Sequence, residues 1–554
     1  MKILNRKFIV FSLLFSSIFL SCEDLTETNI NPNGIEPTQV NPNLILPTVL
    51  SETGKLYVNL GYQDIAGVVQ HTQKDAWSEG HNDYDWGGSQ DWSGYYAILR
   101  NNALLYDRAV ELEYEFHQGV ALVMKSFLYG LITDLWGDAP YATALQGETG
   151  ELSGIQPQFT PQQEIYEGIL ADLETANALL SKPADEYVGI SDDADVYYGG
   201  DPEKWRMFAN SLALRYYMRI SEKLPSVAQA GIEKIAGNPS QYPIIMSADE
   251  SVTMSFPGTS PGTSWPANTA FDPSESNYKR IKMAATLVES LQAKNDPRLG
   301  VWAEKVQVPL VVDASLPAGT DEIIDGVRYL SPDKVGAAVI DTDPEYVGIP
   351  TSFSALPSAY NLNPTPGQTS NNPHVSYLSE MYKDPSGDML LARLLSAEEV
   401  HFILAEAAVK GWAVGDAQTH YEAGVQASLD TWGVGDEFSS YISEPQVAFP
   451  AAGTDEAKLE QILEQKWIAS WTAATEAWFD YRRTGLPDLQ AGPAAKRSVL
   501  PVRFYYGQNE LMLNATNASA AVGALAVTGY SQADGNNSAW SKPWLLQGTG
   551  KPWE

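Results

Sequence analysis

The chain has 554 residues, with 35 Lys+Arg against 69 Asp+Glu and a formal net charge of −34. A field of that sign repels nucleic acid, and it disfavours a polyanionic ligand unless a local patch overrides it. With 44% hydrophobic and only 19% charged residues, and with 15 Trp, 28 Tyr and 16 Phe, the composition excludes a disordered chain.

Lys2, Arg6 and Lys7 open the chain, and Phe8 to Leu20 then runs largely apolar. That run of about 13 residues is shorter than the roughly 20 needed to span a bilayer as a helix, and it fits the apolar core of a secretory signal. It ends in Phe19-Leu20-Ser21-Cys22, which resembles a bacterial lipobox except at Phe19, where leucine is usual. Cys22 is the single cysteine of the chain, so no internal disulfide can form and the body relies on its core alone. The expectation is a removed signal over residues 1–21, lipidation of Cys22, and a flexible tether over 22–43 that is polar and punctuated by Asn-Pro pairs. Loss of the signal removes three bases and no acid, giving −34 − 3 = −37 for the mature chain. No later stretch reaches 18 apolar residues, so attachment to a membrane is expected through the lipid only.

Helical periodicity begins near Leu44. Thr160-Pro161-Gln162-Gln163 offers an N-cap hydroxyl and a Pro at the first helical position, with Ile165, Ile169, Leu173, Ala176 and Leu180 following on one face. Asp201-Pro202 predicts a second start, followed by Trp205, Phe208, Leu212 and Tyr216 at helical spacing. Ser396-Ala397-Glu398-Glu399 predicts a third helix, closed at Gly411 and followed by a partner helix from Tyr421 to Trp432. Gln461 to Arg483 predicts one long helix with Trp467, Trp471 and Trp478 near one face. Between these lie long aperiodic stretches, Pro183 to Asp201, Pro239 to Pro273 and Val306 to Met389. Val306 to Val312 is rich in β-branched residues but contains Pro309, so it predicts at best an edge strand. The sum is a mostly α fold with a few short strands.

Four segments together resemble the SusD/RagB family of nutrient-binding outer-membrane lipoproteins of Bacteroidetes: TDLWGDAPY (Thr133 to Tyr141), the stretch Asp195 to Ile220, the stretch Leu395 to Gly433, and EQKWIASWTAATEAWFDYRRTGLP (Glu464 to Pro487). They occur in the family's order behind the lipobox. The resemblance implies a single domain over residues 44–554, with a tetratricopeptide-like helical scaffold and a ligand site on long irregular loops. It implies a non-catalytic protein whose partner is a SusC-like TonB-dependent transporter, with this chain as the lid that captures a glycan and passes it on. It also implies outer-membrane localisation. Glu23 and Asp24, just after Cys22, resemble the family's signal for export to the cell surface. Peptide capture is the alternative within the family, and a structural lid without strong ligand binding is another. Of the family segments themselves, Trp136, Asp138 and Pro140 are expected to form a turn after a helix, and Arg482 and Arg483 to make buried ion pairs or carbonyl contacts.

Motifs for other chemistry do not hold. Gly258-Thr259-Ser260-Pro261-Gly262 matches G-x-S-x-G, but Pro261 lacks the N–H that a nucleophile elbow needs for its oxyanion hole. The six histidines are scattered and show no His-Glu-x-x-His pattern, so no zinc site is expected. No cofactor is expected. A loop calcium at Asp192, Asp193 and Asp195 is the one metal alternative, although Tyr198 and Lys204 occupy the glycine and glutamate positions of an EF-hand loop.

Sugar rings present flat apolar C–H faces and polar rims, so binding them without chemistry calls for exposed aromatic rings beside amides and carboxylates. The segment Asp75 to Trp92 combines Trp77, Tyr84 and Trp86 with Asn82, Asp83 and Asp85, and with Gly80, Gly87 and Gly88 to shape the loop. Trp77, Asn82, Asp83, Tyr84 and Trp86 are therefore the leading ligand candidates, with Trp265, Tyr278 and Tyr360 as aromatic candidates in other loops.

Overall fold

The structure is a computed structural model that describes residues 39–367 and 371–553. Cys22, the expected signal and residues 22–38 of the expected tether lie outside the described residues. Helix α1 (Pro42–Tyr62) takes in the last two residues of the expected tether, with Pro42 in its first turn and the Asn41 side chain accepting from the Asn43 N–H. It is followed by α2 (Ser93–Glu111), α3 (Glu115–Trp136), α4 (Gln162–Leu179), α5 (Pro202–Arg219) and α6 (Pro225–Ala236). Each of these packs on the next in turn, α1 on α2 through to α5 on α6. This is the stacking of a tetratricopeptide-like scaffold. Helix α3 is long and apolar enough to cross a bilayer, yet 94% of its most apolar stretch is buried between its neighbours. After α7 (Ala285–Ala293) come α8 (Ala397–Val409), α9 (Ala417–Thr431), α10 (Asp455–Ala469) and α11 (Thr475–Thr484). Helix α8 packs against α5, α9 and α10 and so joins the second half of the chain to the first.

Helix starts follow the sequence only in part. At α5 the Asp201 carboxylate accepts from the Glu203 and Lys204 N–H groups, with Pro202 at the first helical position, as the sequence predicts. At α4 the expected cap fails. Thr160 lies instead in strand β3 (Phe159–Thr160), paired with β2 (Ala139–Pro140). The Gln162 N–H is taken by Asp138 Oδ1 at 2.8 Å, from the turn after α3. At α8 the Ser396 side chain makes no cap bond. There a hydroxyl from a distant segment, Ser251 Oγ, accepts from the Ala397 N–H at 3.0 Å. Gly411, at φ +80°, follows the end of α8 as expected.

The expected helix from Gln461 to Arg483 is two helices, α10 and α11, separated by a break in which Thr472 adopts φ +67°. Gly61 of α1 sits against this break. A Cβ there would stand 3.2 Å from both Thr472 O and Ala474 N, so only glycine fits without displacement. Trp471 stands at the break and shares the His71 ring with Trp467, at 5.9 and 5.3 Å. Its ring stacks on Trp302 at 5.3 Å and its Nε1 donates to Tyr382 Oη at 2.7 Å.

Strands are few. Strand β1 (Thr72–Lys74) pairs antiparallel with β5 (Ile281–Met283), and β4 (Val252–Ser255) with β9 (Leu391–Leu395). A three-stranded sheet runs β6 (Leu310–Val312), β8 (Val327–Leu330), β7 (Asp321–Ile324), with β6 an edge strand just after Pro309.

The helices are cross-linked by buried charge. Arg215 of α5 forks onto Glu399 of α8 at 2.7 and 2.6 Å, and also donates to Leu394 O. Arg219, one turn on, bonds Glu476 of α11 and lies 3.5 Å from Asp134 of α3. Arg482 donates to the carbonyls of Asp134 and Val502 at 2.5 and 2.9 Å. Burial pulls its guanidinium down to about 10, against the pull of Asp134. Arg483 forks onto Glu406 of α8 at 2.5 and 2.7 Å and reaches Asp480 at 3.1 Å. Burial alone would raise Asp480, but Lys466 of α10 and Arg483 outweigh it and hold the carboxyl well below the usual range. Both arginines expected to be buried and paired are so.

Removing one member of a buried pair strands the other, which costs about 3–5 kcal/mol. Arg483→Ala is expected to lose that much stability in urea unfolding, while the double variant Arg483→Met/Glu406→Leu recovers most of it. A loss below about 1 kcal/mol for the single variant would show that the pair is not needed.

Candidate functional site

A cleft of about 900 Å³ opens between α1, α2 and the segment from Phe256 to Ile281. Helix α1 lines it with Glu52, Lys55, Leu56, Asn59 and Gln63, which recur at helical spacing along one face. Helix α2 lines it with Gly94, Ala97, Ile98 and Asn101, again one face, and the small Gly94 and Ala97 leave the space between the two helices open. The floor carries Tyr62 and Phe256, both buried, and Trp265 packs edge-on beneath both rings at 5.2 and 5.9 Å.

The third wall is the β1–β5 ladder. Lys74 pairs with Ile281 across it, and the Asp75 N–H donates to Arg280 O, so Lys74 and Arg280 meet at one end of the two strands. Both side chains line the cleft. The Asn82 side chain clips this end in place. Its Oδ1 accepts from the Lys74 N–H and its Nδ2 donates to Lys74 O, both at 2.8 Å.

Three residues beyond Lys74 stands Trp77, 63% exposed and at φ +52°. Three residues of chain keep its Cα within about 11 Å of that of Lys74. Neither burial nor backbone preference explains a tryptophan here. A bulky side chain in left-handed backbone is unfavourable, and such outliers concentrate at functional sites.

A family model described as starch-binding and associating with the outer membrane matches residues 35–311 and 339–507. The chain belongs to the SusD-like family. Solved SusD-like proteins share the fold. A Bacteroides vulgatus outer membrane protein described as involved in nutrient binding superposes with a TM-score of 0.71 at 24% identity, covering 92% of this chain and 100% of its own. A SusD homolog from Bacteroides fragilis gives 0.68 at 21% identity, covering 92% and 99%. A chitin-binding SusD homolog from Flavobacterium johnsoniae gives 0.65 at 24%, covering 91% and 97%. No curated protein matches the sequence. The mostly helical scaffold and the outer-membrane nutrient-binding family expected from the sequence are thereby both found.

Within this SusD-like chain the sequence-derived site residues separate. Tyr84, Trp265, Tyr278 and Tyr360 are at most 4% exposed, so none offers a free ring face to a ligand. Their loops are packed segments. Tyr278 stacks on Tyr377 at 6.1 Å and donates to Leu378 O. Tyr360 lies in a small separate core with Phe353 and Val375. Asn82 is buried and acts through the backbone of Lys74. Trp86 is half-buried, its ring edge-on to Phe504 and Trp478 at 5.0 and 5.8 Å. Asp83 is half-buried, and burial, then the nearby Glu79 and Asp85, raise its carboxyl to about 6. Trp92 is the N-cap residue of α2, and Tyr95 and Tyr96 lie in its first turn, all three packed against the core.

The calcium alternative is not supported. Asp195 accepts from the N–H groups of Tyr197, Tyr198 and Gly200 and from Trp205 Nε1, which uses up its oxygens. Among the described residues no three His, Cys, Asp or Glu side chains are grouped to hold a metal ion. Sequence reading missed Lys55, Asn59, Asn101 and Arg280. Each sits on a polar helix face or in a loop that, alone, reads as solvated surface.

The two tryptophans of this loop are expected to differ in stability effect. Trp86→Ala is expected to lose about 2–4 kcal/mol in urea unfolding through the cavity it leaves. Trp77→Gly is expected to leave stability within about 0.5 kcal/mol or to raise it, since glycine prefers φ > 0.

Proposed function

We propose that this chain is a surface lipoprotein, anchored through Cys22, that binds a glycan across the cleft and Trp77 and hands it to a SusC-like TonB-dependent transporter in the outer membrane, over which it acts as a lid. The observation that carries the reading is Trp77, an exposed indole in strained backbone, beside a cleft lined by amides and charged groups. An indole face suits the C–H face of a sugar, while Asn59, Gln63 and Asn101 suit its hydroxyls. The starch-binding description of the family and the chitin-binding relative point the same way. The residues deployed have no nucleophile–base pair among them, consistent with capture rather than cleavage.

The test is retention of the intact protein in affinity gels cast with a polysaccharide panel that includes starch and chitin. Trp77→Gly is expected to weaken retention about tenfold, the equivalent of one lost stacking contact of about 1.4 kcal/mol. Unchanged retention would displace Trp77 from the site, and retention of peptides with no polysaccharide would replace the glycan reading.

A further inference from the structure

We infer that the glycan taken by this cleft is acidic, one whose sugars carry carboxylate or sulfate groups; the inference rests on the glycan reading above. The chain is strongly anionic overall, with 69 acids against 35 bases. Two other clefts follow that field. One of about 550 Å³ is lined by Asp138, Glu164 and Glu167 and no base, and one of about 370 Å³ by Glu460, Glu464 and Asp488 and no base. The 900 Å³ cleft inverts the pattern, with Lys55, Lys74 and Arg280 against the single acid Glu52.

Glu52 bonds Lys55 at 2.7 Å and so neutralises that cation, and Lys74 has a contact of its own. Arg280 differs. Among the described residues no carboxylate lies within ion-pair distance of its guanidinium, and its Nε is enclosed without a hydrogen-bond partner. The acids nearest in sequence are engaged elsewhere. Asp272 accepts from Ser274, Ser276 and the Asn277 N–H, and Glu275 pairs with Lys279.

A half-buried guanidinium left without an anion in so acidic a protein is unfavourable in the empty cleft, and a planar carboxylate or a sulfate matches its fork. A neutral sugar would give it only hydroxyls. The Asn82 clip fixes the Lys74 backbone, and the Asp75 N–H holds Arg280 O on the adjoining strand end, so the position of Arg280 is preorganised.

The experiment uses the intact protein in affinity gels containing polygalacturonate, fully methyl-esterified polygalacturonate, alginate, carrageenan, starch or chitin. The expected result is retention by at least one acidic polymer that weakens at least tenfold in Arg280→Gln and falls with added salt. For polygalacturonate it should also be lost on esterification, which removes charge and keeps the backbone. Preference among polygalacturonate, alginate and carrageenan separates carboxylate from sulfate. Arg280→Lys is expected to recover part of the binding. Because among the described residues the Arg280 side chain has no hydrogen-bond or ion-pair partner to strand, Arg280→Gln is expected to fold with unchanged stability, which circular dichroism checks. Retention by starch or chitin alone, or equal retention of Arg280→Gln and the parent on acidic polymers, overturns the inference and leaves glycan binding standing. Retention by no polysaccharide overturns both.

Discussion

The structure depends on a buried set of charges. Asp134, Glu399, Glu406, Glu476 and Asp480 stand against Arg215, Arg219, Lys466, Arg482 and Arg483, five of each sign, and they tie α3, α5, α8, α10 and α11 together. Because the signs balance, this cluster carries no net charge although the chain as a whole does. Isolated, any one of these ions would be strongly unfavourable inside the protein; here each has at least one partner of opposite charge. Such pairs tolerate few alternative geometries, so they fix the crossing of helices far apart in sequence. Apolar packing alone specifies these crossings less sharply.

With the helices fixed, their polar faces become walls. The cleft between α1 and α2 exists because α2 offers Gly94 and Ala97 where larger side chains would close it. The β1–β5 ladder brings residue 74 to residue 280, and the Asn82 side chain holds the junction through backbone contacts alone. A local concentration of cations can then persist inside a repelling global field. Separated charges on the surface are screened over about 8–10 Å at physiological salt, so the distant acids weigh little on a ligand already seated in the cleft.

The sequence reveals some of this and hides the rest for identifiable reasons. The burial of Arg482 and Arg483 is legible because they follow a Trp-rich helix, and the Asp201 cap because its partners are three residues away or fewer. The helices α4 and α8 begin close to where the sequence places them, but their caps are hidden because Asp138 and Ser251, remote in sequence, supply the bonds. The break at Thr472 is invisible because what it packs against, Gly61, lies on another helix. Aromatic residues in loops read as exposed from sequence, yet Tyr84, Trp265 and Tyr278 are buried in the main core and Tyr360 in a small core of its own loop. Trp77 and Trp86 lie nine residues apart in one loop and face opposite environments, a distinction that only the tertiary contacts with Trp478 and Phe504 make. Arg280 gives no signal in sequence, since what marks it is the absence of a partner in space.

The central claim is that a preformed cleft between α1, α2 and the β1–β5 ladder, with Trp77 beside it, receives the glycan. Difference hydrogen exchange of the intact protein, with and without a saturating glycan that it retains, tests this most directly. New protection concentrated in residues 74–80 and 256–281 is the predicted result. Protection confined to other segments, with these two unchanged, would contradict it.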